Sequence, residues 1–216
     1  MKLGNIKLEA LYLCFPSPQL YVDTDDDTLL TEALSSLKDD PNYSDYLNAT
    51  VGAINRCISL FELKGMLPLK SVTVLFSKDR VSNGSFIIDM SSLANDFYRA
   101  DKVITYPYGD LPHKWEFADL GNGKIQVAPI NVGESYTVFY HSEGERISQA
   151  TAETYELKLP RRLCEIMPYY IKSDILRVDD PTEAETARKI FNELCSDIEE
   201  GENLYSSMVR SIYKMG

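Results

Sequence analysis

The side chains of this chain best suited to chemistry are its clustered acids, four cysteines and two histidines. "DTDDDT", residues 23–28, sets Asp23, Asp25 and Asp27 at alternate positions, like the first half of a calcium loop. An EF-hand loop also needs Gly at its sixth position and Glu at its twelfth, where this chain has Thr28 and Leu34. Asp23, Asp25, Asp26 and Asp27 are therefore expected to form a solvated loop that caps a short helix, Thr28–Leu37, and to bind no calcium specifically. "GNGK" at 121–124 falls short of a phosphate loop, which needs wider glycine spacing, Ser or Thr after the Lys, and a following helix. Its glycines read as a turn between strands. Cys14, Cys57, Cys164 and Cys195 are far apart and form no CxxC, so they read as buried or free thiols in a reducing compartment. His113 sits in a turn beside Pro112, and His141 ends a strand. Partners of a catalytic pair are adjacent only in space, but the chain carries no GxSxG, no HExxH and no metal-ligand spacing. These residues predict no catalysis, no metal and no cofactor.

The elements that position them follow from periodicity. Leu3, Ile6, Ala10 and Leu13 mark a helix over 3–15, stopped by Pro16 and Pro18. Tyr43, Leu47, Val51, Ile54, Ile58 and Phe61 mark a longer one, capped by Asn42 and ended by Gly65, with Pro68 beyond. From 72 to 141 the period changes to two. Val72–Phe76, Phe86–Met90, Trp115–Phe117, Ile125–Val127 and Tyr136–Tyr140 alternate as half-buried antiparallel strands. The helical period returns after 155, with Pro160 in a first turn and Pro168 kinking or breaking the helix. In "VDDP" Asp180 is a candidate N-cap, Pro181 the first helical residue and Glu183 the third. Ala184, Ala187, Phe191, Leu194 and Ile198 then form a narrow seam, closed by Gly201. The expected class is α+β: a helical bundle formed by residues 1–70 and 155–216, with an antiparallel β-rich insertion at 71–154.

A chain of 216 residues with 44% apolar content can bury one substantial core and a small second subdomain. It has no apolar run long enough to span a membrane, and "MKLGNIKLEALYLCF" reads as folded protein and not as a signal peptide. A net charge of -11 with no Lys/Arg cluster argues against gripping nucleic acid.

Two long stretches carry a family resemblance. "YLNATVGAINRCISLFELKGMLPLKS" resembles the long helix, glycine stop and proline-containing exit of the head-to-tail adaptor (connector) proteins of tailed bacteriophages. "LPRRLCEIMPYYIKSDILRVDDPTEAETARKIFNELCSDIEE" resembles their C-terminal helical hairpin, with a Leu-Pro start, a Pro-Tyr inside the helix and an acidic turn. The strands between resemble the β-rich insertion of the larger members, while residues 16–27 and 201–216 fit the pattern less well. The resemblance implies a non-enzymatic subunit of a homo-oligomeric ring, usually dodecameric, in the virion neck. That ring would be assembled in the bacterial host cytoplasm, seated under the portal protein and joined to tail or further neck proteins, with DNA passing through unbound and no membrane involved. An acidic ring suits a conduit that DNA must not stick to. The rival reading is a tyrosine-rich carbohydrate-binding module of a phage tail or cell surface, built on Tyr106, Tyr108, Tyr136 and Tyr140. A hydrolase is a third.

The tail "NLYSSMVRSIYKMG" carries Leu204, Met208 and Ile212 at i, i+4 and i+8, with Tyr205, Val209 and Tyr213 beside them. A helix this short needs a surface to lie on. It could fold onto its own core or dock elsewhere, with Arg210 and Lys214 favouring an acidic neighbour. The resemblance points to a neighbouring subunit or the portal as that surface. Gly201 and "DIEEGEN" are expected to let the segment swing away.

Overall fold

The computed structural model describes residues 1–17, 26–106 and 112–213, with residues 202–213 described by their backbone alone. It has five α-helices and two antiparallel sheets, an α+β protein. The contacts divide it into two compact units, residues 1–60 with 145–216, and residues 61–144. These boundaries fall before the switches of hydrophobic period near 70 and 154. The last turn of the long helix and its glycine exit belong with the strands, and residues 145–156 belong with the helices.

In the helical unit, α1 (Leu3–Cys14) packs on α2 (Asp27–Asp39) and α4 (Arg161–Ile175), and α4 packs on α5 (Pro181–Tyr213). The helix α3 (Ser44–Lys64) begins in this unit. Leu8 and Leu11 of α1, Leu30, Leu34 and Leu37 of α2, and Leu47 of α3 form one buried cluster. Each such side chain taken fully from water contributes about 1.5–3 kcal/mol. The first amides of α1 have no side-chain cap. Leu3 and Gly4 instead donate to the carbonyls of Tyr155 and Glu153, both at 2.8 Å.

Asp26 caps α2 through its Oδ1, which accepts from Thr28 N–H at 2.8 Å and Leu29 N–H at 3.3 Å. Those backbone bonds hold its carboxyl below the usual range. Asp23 and Asp25 lie outside the described residues. The entry to α3 is organised by Asp40 and not by Asn42. The Asp40 Oδ1 accepts Asn42 N–H at 2.8 Å, and its carbonyl accepts the N–H groups of Tyr43 and Ser44.

Pro168 does not split its helix. It lies buried inside α4, which runs unbroken to Ile175, and Pro160 precedes the helix as its cap residue. Asp180 accepts Glu183 N–H at 3.0 Å, so the start of α5 is as the sequence predicts. Its end is not. The helix passes through Gly201 and continues to Tyr213, so Gly201 neither closes it nor supplies a hinge.

In the β unit, one sheet has the order β1-β8-β4-β5 and the other β2-β3-β7-β6. The strands are β1 (Leu69–Leu75), β2 (Val81–Ser82), β3 (Ser85–Asp89), β4 (Phe97–Thr105), β5 (His113–Trp115), β6 (Phe117–Gly121), β7 (Lys124–Val127) and β8 (Ser135–Ser142). Val74, Phe86, Ile88, Val103, Ile125, Val127, Tyr136 and Val138 come from both sheets and fill one core. The alternation at Trp115 and Phe117 predicts one strand, but the chain changes sheet at Glu116. The turn at 121–123 is a hairpin whose three residues all have positive φ, 76°, 52° and 72°.

Candidate interaction surfaces

The sequence places its partner-binding residues in the last turns of α5. Leu204, Tyr205, Met208, Val209, Arg210, Ile212 and Tyr213 lie on the described backbone of that helix, but their side chains lie outside the described residues, as does Lys214 altogether. The hairpin that carries them is well defined. Tyr170 of α4 meets Phe191 of α5 edge to face, with ring centroids 5.2 Å apart. Arg188 lies over the Tyr170 ring at 4.2 Å, and Lys172 pairs with Glu183 at 2.8 Å. Ala184 and Ala187, in the first turns of α5, are buried. The turn between them exposes Val178, 84% accessible, beside Asp179 and Asp180. The Tyr46 hydroxyl donates to Asp179 Oδ2 at 2.9 Å, which raises its own pKa. Phe15 packs on Tyr46 and Tyr43 at 4.8 and 5.9 Å, holding α3 against the end of α1.

The thiols are placed for packing. Cys57, Cys164 and Cys195 are buried in the helical unit, and all four cysteines are free. Burial pushes the Cys14 thiol up to about 12, Cys57 well above its ordinary value and Cys164 upward. A nucleophilic cysteine needs the opposite shift, because the thiolate is the reactive form. The His141 imidazole is lowered by burial and then by Arg99, against the pull of Asp101. Its Nε2 stands 3.9 Å from Asp101 Oδ1. Beside it, Gly65 takes a φ of +70°, and a Cβ there would come within 3.0 Å of Arg99 and 3.2 Å of His141. No group of His, Cys, Asp and Glu able to hold a metal ion occurs among the described residues.

Two of the four tyrosines of the carbohydrate-site reading, Tyr136 and Tyr140, lie in β8 and are structural, while Tyr106 lies just past the end of β4. Tyr136 is wholly buried and donates to the Ala128 carbonyl, and Tyr140 donates to Asp96 Oδ1 at 3.1 Å. Burial pushes Tyr136 up to about 12. Tyr106 is exposed, and Tyr108 lies outside the described residues. The surface of the β unit holds an open groove of about 630 Å³, lined by Phe76, Lys78, Val81, Pro129, Ile130 and Val132. Val132 and neighbouring Leu75 are each 65% exposed.

Charge is divided unequally. The helical unit carries 14 Lys/Arg against 23 Asp/Glu, a net -9, and the β unit 8 against 10, a net -2. Most of the net negative charge therefore belongs to the helical unit.

No protein-family model matches the chain, and a comparison with curated proteins found no significant match. Among the described residues, no helix is long and apolar enough to cross a membrane.

Proposed function

We propose that this chain is a non-catalytic structural subunit of a bacteriophage neck. In this reading it forms a homo-oligomeric ring that joins the portal protein to the tail and continues the DNA channel. The observation that carries the reading is the α4–α5 hairpin. Its segment, 159–200, bears the resemblance to head-to-tail adaptors, and it folds as a helix with a buried internal proline, an acidic turn, and a second helix started by Asp180 and Pro181. The β unit between α3 and α4 takes the place of the insertion found in the larger adaptors.

Electrostatics support the same role. A helical unit at -9 repels a phosphate backbone, which suits a surface past which DNA must slide. The end of α5, with Leu204, Tyr205, Met208, Val209, Arg210, Ile212, Tyr213 and Lys214, is the proposed contact with the portal or a neighbouring subunit.

The test is assembly. The purified chain is imaged by negative-stain microscopy across a concentration series and co-sedimented with the portal protein of the same phage. Rings that co-sediment support the reading, and a persistent monomer that ignores the portal refutes it. A chain lacking 203–216 is expected to keep its helical circular dichroism and lose co-sedimentation. If the truncated chain still binds the portal, α5 is not the contact.

A further inference from the structure

Among the described residues the β unit has four edge strands, and three of them are short or irregular. β2 is two residues long. β5 is three residues long and carries Lys114. β6 has a register shift against β7 between Asp119 and Gly121, and Asp119 is exposed. β1 is neither. It runs seven residues in unbroken register with β8, from Leu69 opposite His141 to Leu75 opposite Ser135. No proline interrupts it, and its one charge, Lys70, is engaged by Asp96. Proteins that leave a long, regular, apolar edge open invite another strand to pair with it.

The register fixes which backbone groups face outward. Just beyond β1, Phe76 N–H donates to the Glu134 carbonyl at 3.0 Å, and that pair continues the same register. In an antiparallel ladder, directly opposed residues that exchange hydrogen bonds alternate with pairs that do not. Lys70, Val72 and Val74 are therefore the β1 residues that bond to β8. Leu69, Ser71, Thr73 and Leu75 turn their N–H and C=O groups to the open edge. The side chains of these four are also exposed, Leu69 at 44% and Leu75 at 65%.

We infer that the open edge of β1 pairs with an edge strand from the β unit of a second copy of this chain. The pairing extends the β1-β8-β4-β5 sheet from one copy into the next. The choice of a second copy rests on the ring reading and on charge. Two β units at -2 meet with little repulsion, whereas contact through helical units sets -9 against -9. Pairing of β1 with a different edge strand is head-to-tail and propagates until a ring closes, while β1 on β1 would stop at a pair.

Two measurements test this. Ser71→Pro and Thr73→Pro each remove an outward N–H and leave every backbone hydrogen bond between β1 and β8 in place, Thr73→Pro losing only the 3.5 Å hydroxyl contact to Thr137, and proline is tolerated at such positions. Val72→Pro breaks the internal ladder and serves as the misfolding control. Assembly is read by mass photometry, and folding by circular dichroism and Trp115 fluorescence. Thr73→Pro is expected to stay folded and weaken association at least about tenfold, the factor for losing one buried hydrogen bond. In the unmutated chain, residue-resolved amide exchange should show Ser71 and Thr73 slow when concentrated and fast when diluted, with Val72 and Val74 slow throughout. Equal exchange at Ser71 and Thr73 in both conditions overturns the inference, as does a wild-type chain that stays monomeric. Rings formed by folded Thr73→Pro would sink the β1 contact and leave the neck reading standing. A closed wild-type pair that depends on Thr73 would keep β1 as the contact and sink the ring.

Discussion

Among the described residues Lys7 is the most buried charge of the helical unit, 3% exposed in the middle of α1. Its Nζ sits 2.8 Å from Glu153 Oε1, and the Glu153 side chain is 28% exposed. Glu153→Gln keeps the shape of the pair and removes the charge, leaving a buried ammonium opposite a neutral amide. Breaking a fully buried ion pair by removing one partner costs about 3–5 kcal/mol. The partial exposure of Glu153 lets water compensate some of that, so the expected loss is about 2–3 kcal/mol. Lys7→Met alone leaves a carboxylate whose Oε2 is already buried without a partner and should cost a similar amount, about 2–3 kcal/mol. The double change, Lys7→Met with Glu153→Gln, swaps the pair for uncharged side chains of similar length and should recover part of the loss. Urea unfolding followed by far-UV ellipticity measures all four corners of this cycle. The reasoning is refuted if Glu153→Gln costs under about 0.5 kcal/mol, or if the double variant is less stable than the sum of the singles predicts.

Asp180→Ala removes the side-chain acceptor at the start of α5 and should cost about 1 kcal/mol, with Asp180→Asn nearly neutral, by thermal unfolding. At pH 8 the native protein should react with a thiol reagent at none of Cys14, Cys57 and Cys164, and urea should release all three; a fast-reacting native thiol among them contradicts the raised pKa values. The Asp96 carboxyl is lowered first by its hydrogen bond from Lys70, then by that from Tyr140. Its folded pKa lies below the unfolded value, so its contribution is complete above about pH 4 and is lost as pH falls through the folded value. Wild type should therefore lose stability below about pH 4 more steeply than Asp96→Asn, and identical slopes would contradict the assignment.

What the sequence discloses here is what is decided locally. Gly65 ends α3 as expected. Met66 N–H reaches the Phe61 carbonyl at 2.9 Å and Gly65 N–H the Glu62 carbonyl at 3.0 Å, the paired bonds of a glycine-terminated helix. Asp180 and Pro181 are equally local. β4, the longest strand, shows no period of two, because Arg99, Asp101 and Lys102 interrupt it. Register shifts against β8 between Phe97 and Arg99, and between Ala100 and Lys102, explain why those charges are tolerated. Nothing local marks Lys7 as buried, because its partner is 146 residues away. Gly201 misleads because a glycine in a helix costs only about 1 kcal/mol, and α5 passes through it. The candidate tail was legible as an apolar stripe, but the open edge of β1 was not. An edge is defined by what fails to pair with it, and no stretch of sequence records that.

The two ends of the β unit are tied together. Glu62 accepts the Gly144 N–H at 2.5 Å, so the chain leaves the unit beside the point where it enters. On the helical side, Asn55 grips the returning chain at Ile147 from both sides: its amide donates to the Ile147 carbonyl at 2.8 Å and its Oδ1 accepts the Ile147 N–H at 3.0 Å. To the helices, everything between these clasps is a single closed loop, and the entropy of closing a loop grows only logarithmically with its length. A lineage could lengthen, shorten or exchange the strands between Glu62 and Gly144 at little thermodynamic penalty to α1–α5. The helical unit can thus be inherited as a constant frame, while the part between the clasps evolves as an interchangeable cassette.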